Sequence, residues 1–80
     1  MILDVSRGHI RVKIGNRVVT VQGEMFFPGN DKLGFVVFSD SIKFWDPPDQ
    51  TSPVLSSEKN LILDDIRADF DRGGHTLEIE

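Results

Sequence analysis

The run HIRVKIGNRVVTVQ, residues 9–22, constrains the fold more than any other part of this chain. Ile10, Val12 and Ile14 alternate with His9, Arg11 and Lys13, the two-residue period of a strand with one buried face. Gly15-Asn16 interrupts the pattern, and both residues accept the positive φ of a two-residue hairpin turn. A turn there sets Ile14 against Arg17, Val12 against Val19 and Ile10 against Val21. The apolar groups then share one face, and a slip of one residue would send them all to solvent. The chain therefore contains an antiparallel hairpin that needs a cover for its apolar side.

The second strand of that hairpin continues toward Met25, Phe26 and Phe27, and Gly23 inside it marks a bulge or a close backbone approach. Residues 28–32, PGNDK, read as a loop. LGFVVFSDSIKFW, residues 33–45, reads as a second hairpin turning at Ser39-Asp40, with Val37 opposite Ile42 and Phe35 opposite Phe44. This register places Phe44 on the core face and Trp45 on the other, at the sheet margin. Pro47 and Pro48 donate no ladder hydrogen bond, so the strand stops by Asp46 and a crossover follows over residues 47–55. In SSEKNLILDDIRADFDRGG, Ser56 or Ser57 can cap a helix, Glu58 suits its first turn, and Gly73 can close it. Ile62, Leu63, Ile66 and Phe70 form its apolar stripe. The closing HTLEIE alternates as a last strand, and Ile2–Val5 carries a weaker strand pattern. The expected fold is α+β: an antiparallel sheet from two β-hairpins plus a C-terminal strand, one face covered by a single amphipathic helix. Residues 1–80 are expected to form a single domain.

Six Phe and one Trp, with 39% hydrophobic residues, suit a packed core. There is no Cys, so neither disulfides nor thiolate metal sites staple the fold. No signal-peptide pattern opens the sequence and no apolar run approaches the ~20 residues of a membrane span. A cytoplasmic, non-membrane protein is the expectation. The net charge of −4 is uneven: residues 1–45 carry +2 and residues 46–80 carry −6. An acidic half disfavours nucleic acid, which needs clustered cations, although Arg11, Lys13 and Arg17 make the first hairpin locally basic. The same half suits a basic protein partner.

No catalytic, cofactor or metal constellation emerges. His9 and His75 each precede a strand and have no companion at metal-ligand spacing, so structural or solvent-exposed roles are expected. Asp64, Asp65, Asp69 and Asp71 lack the glycine-interrupted spacing of a calcium loop and read as a solvated helix face. No glycine loop opens a helix to cradle phosphate. The candidate partner-binding residues are Trp45 with its flanking acids Asp46 and Asp49, and Glu58, Asp65 and Asp69 on the helix. Trp and flanking charges are typical of interface hot spots, whereas a Trp closing the core edge is the plainer role. Charge reversal at Asp46 or Asp49 is expected to slow association with a basic partner and to leave stability nearly unchanged.

The run DSIKFWDPPDQTSPVLSSEKNLILDDIR, residues 40–67, resembles the small bacterial immunity family called immunity protein 74, and GHIRVKIGNRVVTVQGEMF, residues 8–26, is similar to its N-terminal half. The resemblance implies a cytoplasmic antidote from a polymorphic or contact-dependent toxin system. It implies specific binding of one cognate toxin domain, possibly a nuclease, without catalysis or a cofactor. It carries no set of contact residues. The alternative is a small regulatory or assembly module without a toxin partner. A monomer or an edge-paired homodimer is compatible with so small an open sheet.

Overall fold

The computed structural model describes residues 1–29 and 32–80. Its elements are β1 (Ile2–Val5), β2 (His9–Ile14), β3 (Arg17–Gly29), β4 (Lys32–Val37), a 3₁₀ turn (Ser39–Ser41), α1 (Ser56–Gly73) and β5 (Thr76–Ile79). The five strands form one sheet in the order β1-β2-β3-β4-β5. Successive pairs are antiparallel except β4 and β5, which run parallel. The α+β class with one helix on an open sheet is as expected, and the weakly patterned Ile2–Val5 is a genuine strand.

The first hairpin has the expected register, Ile14 with Arg17, Val12 with Val19 and Ile10 with Val21. Gly15 takes the left-handed conformation at φ 62° that the turn requires. Ile10, Val12, Val19 and Val21 are all buried beneath the helix side of the sheet.

β3 is the spine of the molecule. Its 13 residues at ~3.3 Å each reach about 43 Å, against a longest dimension of 41 Å. It pairs with β2 as far as Gln22 and with β4 from Gly23 onward. At that handover a Cβ on residue 23 would sit 2.0 Å from the Val36 carbonyl oxygen and 2.5 Å from the Phe35 ring. Gly23 is thus a close approach, not a bulge; the ladder's irregularity falls between Phe26 and Gly29. β3 and β4 extend through Pro28, Gly29 and Lys32, which were expected in the loop, and Asn30 and Asp31 lie outside the described residues.

The expected hairpin over residues 33–45 does not form. β4 ends at Val37, its outer edge is taken by β5, and the chain turns through Ser39–Ser41. Residues 38–46 instead run along the edge of β3 that β4 does not reach. The Phe38 N–H donates to the Gln22 carbonyl at 2.9 Å and the Asp46 N–H to the Val18 carbonyl at 2.7 Å. In return the Gln22 N–H donates to Ser41 Oγ at 3.1 Å and the Thr20 N–H to Asp46 Oδ1 at 3.2 Å. Two side-chain oxygens thus do what a strand's carbonyls would, so the edge is satisfied without a ladder.

Helix α1 buries Ile62, Ile66 and Phe70, with Leu63 partly covered. Its N-cap is Leu55, so Ser56 and Ser57 are its first helical residues and not its caps. The Glu58 carboxylate accepts the Leu55 N–H at 3.0 Å in their place. At the other end Gly74, at φ 70°, makes the left-handed exit one residue later than expected. His75 then accepts the Leu33 N–H on Nδ1 at 3.0 Å and meets the Phe70 ring edge-on, joining helix end to β4. Its role is structural. The buried side chains form one core. Among the described residues no helix is long and apolar enough to cross a membrane.

Candidate functional site

The segment after the 3₁₀ turn folds on itself before the helix begins. The Val54 N–H donates to the Lys43 carbonyl at 2.8 Å and the Trp45 N–H to the Ser52 carbonyl at 3.4 Å, with Phe44 and Pro53 facing each other in an isolated bridge. Between these arms, the Asp49 N–H donates to the Asp46 carbonyl at 2.9 Å and the Ser52 N–H to the Asp49 carbonyl at 3.0 Å. The result is a short, internally bonded loop with Pro47 and Pro48 on its outside. Such a segment does not obey the alternation of a sheet strand.

That is why the two aromatics exchange places relative to the expected register. Trp45 is 1% exposed and belongs to the core, whereas Phe44 is 57% exposed. The Arg17 guanidinium lies over the Trp45 ring, its carbon 4.2 Å from the ring centroid. Arg17 also ion-pairs with Glu58 on the first turn of α1. The Glu58 carboxyl is held below its usual range, first by the Leu55 N–H and then by Arg17. The indole N–H makes no direct hydrogen bond among the described residues. Arg17 therefore seals the core edge with its plane and anchors the helix with its charge.

The six residues expected to bind a partner divide into three groups. Trp45, Asp46 and Glu58 gather around the start of β3. Asp46 is a structural clip, its carboxylate accepting the Thr20 N–H at 3.2 Å and the Thr20 hydroxyl at 2.7 Å. Reversing its charge breaks both bonds, so the expectation of nearly unchanged stability does not hold there. Asp49, half-buried, stands in the loop beyond with no ion pair among the described residues. Asp65 and Asp69 lie ~10 and ~17 Å farther along α1, Asp65 paired with the Met1 ammonium and Asp69 with Arg72 at 3.5 Å.

The basic stripe of the first hairpin is largely spent internally. Arg11 donates to Asp4 through Nε at 2.8 Å and Nη2 at 2.6 Å, and holds the Asp4 carboxyl below its usual range. Arg17 is committed to Glu58. His9 sits beside the same Asp4, with Nε2 at 3.5 Å and Nδ1 at 2.9 Å from Ser6 Oγ. Among the described residues there is neither a pocket nor a cluster of three His, Asp or Glu placed to hold a metal ion.

The sequence pattern put Phe44 on the core face and Arg17 in a basic stripe, and it did not single out Leu55. Leu55 is 59% exposed although it borders the apolar helix. The prolines two and three residues after Trp45 were the available signal, since a run that close to them need not keep a sheet's period.

Glu58 gives a pH test of this arrangement. Protons bind the unfolded chain before they bind the folded one, so its contribution to stability is complete above the ordinary glutamate pKa, ~4.3, and disappears as pH falls through the lowered folded value. Glu58→Gln is expected to melt below the wild type at neutral pH, with the gap narrowing in acid. Thermal melts across a pH series measure it, and a gap of constant size would contradict the assignment.

A family model described as Immunity protein 74 matches residues 2–80. No curated protein and no solved structure matches the chain.

Proposed function

We propose that this chain, which belongs to the Immunity protein 74 family, neutralises a bacterial protein toxin by binding its toxic domain in a non-catalytic complex. The observation that carries the reading is the family match over residues 2–80. The charge distribution supports it: the acidic half from residue 46 suits a toxin domain with a cationic substrate cleft, such as a nuclease, and would steer the encounter. The pairing of Arg11 and Arg17 with carboxylates supports a protein partner over a nucleic acid. The site of action is the cytoplasm, and the working unit is a monomer or an edge-paired homodimer bound to its toxin.

Co-production in a bacterial host with the toxin domain encoded beside its own gene tests this reading. Growth is expected to be restored by the wild-type chain, with the two proteins purifying together. Failure of both would overturn it.

A further inference from the structure

Resting on that reading, we infer that the toxin is contacted through an apolar patch centred on Phe44, and that its own surface offers an apolar recess rimmed by Lys or Arg. Three observations meet here. First, the bridge sets Phe44 directly opposite Pro53. Residues 51–55 alternate in exposure, so Pro53 and Leu55 point outward together while Val54 packs inward. Phe44, Pro53 and Leu55 thus adjoin, with Phe44 57% and Leu55 59% exposed. Isolated apolar side chains on a surface are ordinary, whereas adjoining ones form a patch of the kind a partner can cover.

Second, the patch is held rigidly. The arms are bonded to each other at Lys43–Val54 and to β3 through Asp46. Trp45, the next residue, is packed in the core. A rigid aromatic loses little freedom on binding, which is what an anchor requires.

Third, the segment that carries the patch is net acidic. Residues 40–55 carry Asp40, Asp46 and Asp49 against Lys43, and of the three aspartates Asp46 is engaged by Thr20. A second copy of this chain would bring the same acidic segment against itself, whereas a cationic partner is complementary. Phe27, 71% exposed, is the control because it lies ten residues along β3 from Arg17, ~33 Å away.

The test uses the full chain and the purified toxin domain encoded beside its gene, with affinity read by calorimetric titration. Phe44→Ala is expected to weaken binding by at least ~30-fold, with its melting temperature unchanged, while Phe27→Ala binds as the wild type does. Leu55→Asp reads the same patch from the other arm, and is expected to weaken binding likewise even if Phe44→Ala alters folding. Full affinity in Phe44→Ala or Leu55→Asp would overturn the placement. Loss in Phe27→Ala equal to that in Phe44→Ala would overturn it too. Concentration-dependent self-association abolished by Phe44→Ala would assign the patch to a second copy and overturn the toxin assignment. A wild-type chain that does not bind at all would instead refute the immunity reading beneath it.

Discussion

Replacing Trp45 by alanine is expected to cost ~3–5 kcal/mol of stability. The side chain is the largest of the fully buried ones and is 1% exposed. Its removal deletes the contact of the Arg17 plane and leaves a cavity where the crossover meets β3 and the core. A chain of this length is expected to have ~4–12 kcal/mol in all, so the loss takes a large share of it. The melting temperature should fall by at least ~12 °C. Trp45→Phe is expected to be milder, because an aromatic ring remains to fill the core. Denaturant and thermal unfolding measure both variants. A melting temperature for Trp45→Ala equal to that of the wild type would remove Trp45 from the core.

This result also decides how Trp45 bears on function. Any loss of toxin binding in Trp45→Ala accompanies loss of fold. The loss in Phe44→Ala is expected without it, since that side chain is mostly in water. On this proposal adjacent residues serve opposite ends, one packing the domain and one meeting the partner.

Alternation around Gly15-Asn16 was enough to read the first hairpin residue by residue, because its turn is local and its register follows from one buried face. The helix stripe of Ile62, Ile66 and Phe70 was legible for the same reason. What alternation does not contain is the identity of a strand's neighbour. β4 takes as its second partner β5, some forty residues later and parallel, and that pairing is non-local. With β5 in place, Ile42–Trp45 had no edge of β4 to pair with, and the period-two reading of that run lost its basis.

The candidate site was half legible. The acids and Trp45 could be named, but their partners could not, because Thr20 with Asp46 and Arg17 with Glu58 are separated by 26 and 41 residues. Those pairings convert Asp46 and Glu58 from free surface charges into fasteners of the crossover. They also withdraw Arg17 from the basic stripe. The exposed aromatic was hidden by its own pattern: Phe44 sits where a regular strand would have buried it.

Stoichiometric inhibition is the second large effect, and it follows from a complex without turnover. The proposed non-catalytic complex gives the chain one way to silence a toxin, which is to stay bound to it. Each chain should then remove one toxin domain from action and no more. The direct measurement is the activity of the proposed toxin domain, purified and titrated with the purified wild-type chain. The account predicts a linear fall to zero activity with the break at one chain per toxin. Activity untouched in large excess, or abolished by a small fraction of an equivalent, would contradict it.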